Sequence, residues 1–378
     1  MSDGFEYLEE LRKKSNGAMP TFSSFSGYLE QKARAQGVPL NGQFELTPLC
    51  NFNCPMCYVH LTGPQLSRPL LTADQWNSLI SDACQMGMLR ATLTGGECLS
   101  YPGFSAVYDH LRAEGCEITV MTNGALLDEH WVDYFRRYRP GCICITLYGD
   151  SEDAYERVTG QRVFGTVVRH IQALREADLP LQISVTPNRA LGEDVFGTIR
   201  LAKELCPAIR VNTWLTVPRP DTERADTVTD LDDDMYIRIL RFRNELNGIA
   251  CAECPEERLP KPGGALREGK VCGLKCGGGR SSFSVDWKGV MSPCNELEMV
   301  KAYPFRDGFE QAWQQIHQTA EQWPRAIECE GCAYEPLCEK CAGRLLQFSK
   351  PGVHSPALCK HTMHFVQQGV YSIPECEI

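Results

Sequence analysis

Cys50, Cys54 and Cys57 occur together in the segment CNFNCPMCY, a C-x3-C-x2-C spacing within one short loop. Thiolates suit iron–sulfur clusters and other soft metal sites. Three from one loop hold three irons of a [4Fe–4S] cubane and leave the fourth without a protein ligand, free to chelate a substrate or cofactor. The competing chemistry is a zinc-stabilised loop with His60 as fourth ligand. A second array follows in the last third of the chain: Cys276, then Gly289-x4-Cys294, then Cys329-x2-Cys332-x5-Cys338-x2-Cys341, and finally Cys359. Cys251-x2-Cys254 and Cys272 stand just before it.

Twenty cysteines would suit a disulfide scaffold in a small secreted domain, but this chain has 378 residues and 43% hydrophobic content, enough to bury a sizeable core. Metal ligation is the better account of the thiols. A formal net charge of -10 argues against a nucleic-acid partner held by phosphate neutralisation. No apolar run is long enough to span a bilayer, and Met1 to Lys14 is charged and helix-like rather than a signal-peptide core, so a cytoplasmic location without membrane attachment is expected.

The elements that must position these residues alternate in type. Two short helices, near Phe5 to Lys14 and Ser26 to Ala35, form an N-terminal helical cap over residues 1–41. β-like runs follow at Phe44 to Thr47, Leu89 to Leu93, Glu117 to Met121, Cys142 to Leu147, Leu181 to Val185 and Ile209 to Thr216, with helical stretches between them. The first of those helices, Thr72 to Met86, opens on a Thr72/Gln75 capping box. Six strand–helix units demand a parallel sheet with crossover helices, and a partial α/β barrel over 42–218 is the economical architecture, with function on the loops beyond the strands' C-terminal ends. The cysteine loop directly follows the first strand. After residue 218 the rhythm breaks into an acidic linker and helix over 219–250, with acidic residues from Asp221 to Asp234 and a helix near Met235 to Asn247. From Cys251 to Cys359 regular structure should be sparse, leaving metal clusters to supply the stability.

The first loop resembles that of the radical S-adenosylmethionine superfamily, which implies a partial (β/α)6 barrel and a cluster whose open iron binds the amino and carboxylate groups of the methionine moiety. One electron then cleaves the sulfonium C–S bond, giving methionine and a 5′-deoxyadenosyl radical that takes a hydrogen atom from the substrate. Gly95, Gly96 and Glu97 stand where the family has a GGEP-like turn that holds the methionine amino group, with Cys98 in place of the usual proline. The resemblance also implies that Thr146, in ITLYGD, lies near the ribose and that Ser184 touches the ribose or carboxylate. Arg157 would pair with the methionine carboxylate, and Met56 would contact adenine through its backbone. Arg157 reads equally well as a surface helix charge, Ser184 as a satisfied strand hydroxyl, and Thr122-Asn123-Gly124 as a turn first and a cofactor contact second.

The second array resembles a small cysteine-rich SPASM domain, here 251–378, a family with two auxiliary [4Fe–4S] clusters; its usual run has three residues between the last two cysteines where this sequence has two. By that family's interleaved topology, Cys272, Cys276, Cys294 and Cys341 hold one cluster and Cys329, Cys332, Cys338 and Cys359 the other, with Cys251 or Cys254 the rival to Cys272. Three [4Fe–4S] clusters in all are implied; two zinc ribbons are the alternative for this region. Of the remaining thiols, Cys142 and Cys144 alternate with Ile143 and Ile145 and are expected to behave as small buried residues, while Cys98 borders the implied cofactor.

SPASM enzymes commonly cross-link, oxidise or decarboxylate a peptide or protein, so the resemblance implies a radical SAM oxidoreductase of the peptide-maturase kind. Its partners would be a peptide or protein substrate and a flavodoxin- or ferredoxin-type reductant. Sulfatase maturation is disfavoured, because Asn295 occupies the position after Cys294 where that activity has an aspartate base. A dehydrogenase of a sugar alcohol or amino acid is the second enzyme reading, and a zinc-binding interaction module the non-enzyme one. The acidic Asp230 to Asp234 patch reads as a solvated linker face ahead of a dock for a basic leader. No residue is assigned as the catalytic acid or base.

Overall fold

Six short strands form the centre of the computed structural model: β1 (Asn41–Glu45), β2 (Arg90–Thr94), β3 (Glu117–Thr122), β4 (Cys142–Leu147), β5 (Leu181–Val185) and β6 (Ile209–Val211). They pair in parallel in the order β6-β5-β4-β3-β2-β1. Helix α1 (Phe22–Gln36) precedes β1, and α2 (Ala73–Gln85), α3 (Phe104–Ala113), α4 (Glu129–Arg137), α5 (Glu152–Thr159), α6 (Phe164–Glu176) and α7 (Asp194–Leu205) fill the crossovers. The expected six-unit α/β architecture is therefore present. The sheet stays open: β7 (Ser282–Val285) adds in parallel beside β1, and β8 (Met291–Ser292) turns back antiparallel as the edge opposite β6. The described residues are 22–59, 61, 69–212, 215–216, 219, 231–249, 251, 253–261, 273–338, 341–346 and 349–371. The expected helix at Phe5 to Lys14, His60, the acidic residues 221–230 and Cys272 lie outside them.

Period-two alternation sorts each strand into two faces. Phe44, Leu93, Val120, Ile143, Ile145, Ile183 and Val185 point into a core shared with Trp76, Leu79 and Ile80 of α2, Phe104 and Val107 of α3, and Val167 and Ile171 of α6. Phe44 meets Trp76 edge-on at 6.0 Å between ring centres, the geometry aromatic quadrupoles favour. The other face is polar, and hydrogen-bonded register sets its rows: Gln43 beside Thr92, Met121 beside Cys144 beside Gln182, and Thr146 beside Ser184 beside Arg210. Cys142 and Cys144 lie on this polar face and outside the main core. Cys144 is buried there with its thiol toward Gln182 Oε1 at 3.8 Å, while Cys142 is only half-buried. Sequence alternation alone separates these cysteines from the isoleucines but does not say which set faces the helices.

The capping box forms as expected. Thr72 Oγ1 accepts from Gln75 N at 3.2 Å and Gln75 Oε1 accepts from Thr72 N at 2.9 Å, satisfying two of the amides left free at the start of α2. β1 begins three residues earlier than its apolar run suggests, because Asn41, Gly42 and Gln43 find ladder partners in both β2 and β7. β6 ends at Val211, where the Asn212 side chain bonds Thr186 Oγ1 at 2.9 Å.

The cysteine-rich region is more regular than its composition suggests. Besides β7 and β8 it supplies α9 (Phe309–Glu321), whose Phe309, Ala312, Trp313 and Ile316 recur at helical spacing and join the main core. Phe283 of β7 meets Phe309 at 5.2 Å and Trp313 at 6.1 Å, and Trp313 Nε1 donates to Gly37 O at 2.7 Å. Gly42 admits this packing, since a Cβ there would sit 2.8 Å from the Phe283 ring. Farther along, α10 (Pro356–Gln367) rests Phe365 on Tyr236, Ile237 and Leu240 of α8 (Asp233–Leu246). The acidic residues at the start of α8 have local partners: Asp232 caps the helix through Met235 N at 2.8 Å, Asp233 pairs with His361 at 2.8 Å and Asp234 with His364 at 3.3 Å.

Candidate active site

The loop after β1 is zipped to the turn after β2 by backbone bonds. Leu46 N donates to Thr94 O at 2.9 Å, Gly96 N to Thr47 O at 2.7 Å and Glu97 N to Leu49 O at 2.8 Å. The two glycines are needed for this approach: a Cβ on Gly95 would lie 2.5 Å from Thr47 O, and one on Gly96 2.4 Å from Leu49 O. Close contact between two chain segments is thus a first reason for the Gly-Gly pair, ahead of any ligand.

Within the loop, Cys57 N donates to Cys54 O at 3.2 Å and Phe52 N to the Cys50 sulfur at 3.4 Å. Burial pushes the Cys50 thiol up to about 12. Burial first, and then the nearby Cys54, Cys50 and Cys57 thiols, push the Tyr148 phenol up. That ring meets Phe52 edge-on at 5.7 Å. Among the described residues no three Cys, His, Asp or Glu side chains close on a common metal point. The three thiols are neighbours of the right chemistry for an iron–sulfur cluster, whose binding would deprotonate them. Met56 is buried in the same loop.

Glu97 is 1% exposed and spends its carboxylate inside the protein. Oε1 accepts from Leu99 N at 3.1 Å and Thr122 Oγ1 at 2.8 Å, and Oε2 accepts from Asn123 N at 2.7 Å. Burial raises its pKa, and these bonds pull it back. Asn123 carries the connection onward, its Nδ2 donating to Asn51 Oδ1 at 2.7 Å and lying 3.7 Å from the Cys50 sulfur. Thr122-Asn123-Gly124 is therefore a relay between Glu97 and the cysteine loop as well as a turn. Cys98 is fully buried, with its thiol toward Met121 O at 3.2 Å.

Thr146 and Ser184 are register partners at the C-terminal ends of β4 and β5, and Asn212 Nδ2 reaches the Ser184 hydroxyl at 3.4 Å. Arg210 extends that row, exposed and near enough to Cys144 to lower its pKa against the rise from burial. Arg157 sits on α5, where it pairs with the Asp194 carboxylate and donates from Nε to Ala190 O at 2.8 Å. The end of α5 touches the cysteine loop, with Asn53 N donating to Thr159 O at 2.8 Å.

A buried ion network, invisible in the spacing of residues, underlies the loop. Arg219 makes a bidentate pair with Glu45 at 2.8 Å on both arms, a further ion pair with Glu298, and stands 5.4 Å from the Tyr58 ring centre. Burial raises Glu45 to about 7 against the pull of Arg219, and the two carboxylates hold Arg219 charged. Asn295 bonds the Tyr58 hydroxyl, so residues adjacent to Cys57 and Cys294 touch each other. The one available sequence signal was Glu45 itself, a charge between Phe44 and Leu46 in an apolar strand.

The second array separates into two groups. Burial pushes the Cys294 thiol up to about 12, with Cys341 and Cys276 close enough to add to it. Gly343 lets the Cys341 segment lie against the Cys294 segment, since a Cβ there would be 2.2 Å from Glu296 O. Cys329, Cys338 and Cys359 line one cavity of about 90 Å³, in which His354 Nε2 is 3.0 Å from the Cys359 sulfur. Cys332 packs beside the buried Cys254 and Tyr334 at the margin of this second group. Cys254 is disulfide-bonded, and Cys251 lies against Asn244 Nδ2 at 3.4 Å.

The profile of the Radical SAM superfamily matches residues 44–202. The chain is 26% identical over 324 residues to an AdoMet-dependent heme synthase of Methanosarcina barkeri, covering 80% of this chain and 90% of that protein. It is 24% identical over 331 residues to a PqqA peptide cyclase of Bradyrhizobium diazoefficiens, covering 84% and 83%. Among solved structures, Streptococcus suis SuiB bound to S-adenosylmethionine superposes with a TM-score of 0.66 at 14% identity, covering 94% of this chain and 88% of SuiB. Native anSMEcpe with bound AdoMet gives 0.63 at 15% identity, covering 87% and 96%. Residues 44–202 form a radical SAM domain, the domain of a superfamily that works with a [4Fe–4S] cluster and S-adenosylmethionine.

Proposed function

We propose that this enzyme is a radical SAM oxidoreductase that modifies a side chain of a peptide or protein, as a maturase of ribosomally made peptides does. The observation that carries the reading is the likeness to PqqA peptide cyclases over more than four-fifths of both chains, joined to the fold of SuiB, which has been seen with its precursor peptide SuiA. In this reading Cys50, Cys54 and Cys57 hold the first cluster, which supplies the electron that cleaves S-adenosylmethionine. Glu97 fixes the Gly95-Gly96 turn, whose backbone holds the methionine amino group. Thr146 contacts the ribose and Ser184 the ribose or carboxylate from neighbouring strands, and Met56 meets the adenine through its backbone. Arg157 reaches the methionine carboxylate by exchanging its bond to Asp194, and Arg210 is a further cation in the Thr146–Ser184 row.

The reading extends to two auxiliary [4Fe–4S] clusters in a SPASM domain over 251–378, held by Cys272, Cys276, Cys294 and Cys341 and by Cys329, Cys332, Cys338 and Cys359. The grouping of Cys276 with Cys294 and Cys341, apart from Cys329, Cys338 and Cys359, supports that partition. Fully ligated clusters serve to accept or relay the electron left after hydrogen abstraction. A flavodoxin- or ferredoxin-type reductant and a cytoplasmic location belong to the same reading, and among the described residues no helix is long and apolar enough to cross a membrane.

The test is anaerobic reconstitution with dithionite, S-adenosylmethionine and peptides encoded beside the gene. About twelve irons with matching sulfide, release of 5′-deoxyadenosine and a peptide lighter by two hydrogens are expected. Zinc in place of iron, or no 5′-deoxyadenosine from the reduced protein, overturns the proposal. The likeness to an AdoMet-dependent heme synthase favours a second reading, a non-peptide small molecule as substrate. Turnover of such a molecule with none of any peptide would select it.

A further inference from the structure

At the end of the sheet opposite the cysteine loop lies a second meeting of thiols. Cys84 occupies the last turn of α2, and Cys116 stands between Gly115 and the first residue of β3. Their sulfurs are 3.5 Å apart across 32 positions of sequence, and both are half-buried at the margin of the core. Both backbones are fixed independently: Gly87 N donates to Cys84 O at 2.9 Å, and Cys116 N donates to Leu111 O at 3.0 Å. A polar cluster adjoins them. Ser81 Oγ is 2.8 Å from His110 Nε2 and donates to Glu114 Oε1 at 2.8 Å, and Glu114 is close enough to act on both thiols. Two sulfurs in contact, with the Glu114 carboxylate nearby, have no part in the cofactor chemistry.

We propose that Cys84 and Cys116 are a redox-active dithiol that exchanges with a small disulfide and closes a reversible staple between the end of α2 and the start of β3. The sulfurs need to approach by only about 1.5 Å to reach bonding distance. Sharing of a proton lowers the Cys116 thiol and raises that of Cys84, so Cys116 attacks first. Its thiolate displaces one thiolate from the small disulfide and leaves a mixed disulfide on Cys116. Cys84, deprotonated in turn, attacks the Cys116 sulfur and expels the second thiolate. The protein loses two electrons and two protons, and the small disulfide becomes two thiols. Because the staple lies at the N-terminal ends of the strands, it acts on stability and leaves the cofactor loop in place.

Cluster-loaded protein equilibrated anaerobically with graded ratios of reduced and oxidised glutathione, quenched with an alkylating agent and digested, tests this. The expected result is a linked peptide pair carrying Cys84 and Cys116, two hydrogens lighter than its separate parts, and a melting temperature several degrees above that of the reduced protein. Cys84→Ser should trap glutathione on Cys116, while Cys116→Ser should leave Cys84 at least tenfold less modified. Both variants should release 5′-deoxyadenosine at the parent rate. Full alkylation of both cysteines at every ratio, or separate glutathione adducts on each in the parent without a linked pair, overturns the proposal.

Discussion

Replacing Glu97 by Gln removes one charge and keeps the shape, and the N–H and O–H donors around the carboxylate set the cost. Leu99 N and Thr122 Oγ1 both donate to Oε1, and Asn123 N donates to Oε2. A glutamine oxygen can serve either position but not both, so its NH2 must face at least one buried donor. Losing one charge-assisted bond and leaving an amide unpaired costs about 3–5 kcal/mol, a large share of the roughly 5–15 kcal/mol that holds a typical domain together. The damage should also reach the cluster, because Asn123 passes the position of Glu97 to Asn51 and Cys50. Urea unfolding of the metal-free protein measures the first effect, and iron content with 5′-deoxyadenosine release measures the second. The variant should unfold at clearly lower urea, bind less iron at the first loop and cleave S-adenosylmethionine more slowly. A variant as stable and as well loaded as the parent would refute the reasoning, since it would mean that Glu97 is already protonated and its partners indifferent to charge.

Gly96→Ala should cost about 1–3 kcal/mol, because a methyl 2.4 Å from Leu49 O forces the two loops apart; lower iron retention with near-parental far-UV circular dichroism is the expected readout. Glu45 has a folded pKa raised to about 7. The folded state therefore holds its proton more tightly, and the stability it contributes at low pH is lost as pH rises from about 4.5 to about 7. Relative to Glu45→Gln, the parent should lose on the order of 3 kcal/mol across that window, and a pH-independent difference in urea midpoints would contradict the burial argument. Thr72→Ala removes one half of the capping box at α2 and should cost about 1 kcal/mol in urea unfolding, with S-adenosylmethionine cleavage unchanged.

The local features of this protein were legible in its residues. Spacing alone put three thiols in one loop after the first strand, apolar periodicity marked six strands with helices between them, and Thr72 with Gln75 marked where α2 starts. These are properties of short stretches, in which each residue's environment is fixed by neighbours a few positions away. Tertiary structure decided the rest. It turned Cys142 and Cys144 to the polar face, drew Glu97 into bonds with β3, and joined β7 and α9, from a region expected to hold little regular structure, to the main core. It paired Arg157 with Asp194 and brought Arg219 to Glu45 across 174 positions of sequence. A charge buried in a strand has to find a counter-charge wherever the packed chain can supply one, and that location depends on register and crossover geometry rather than on sequence distance.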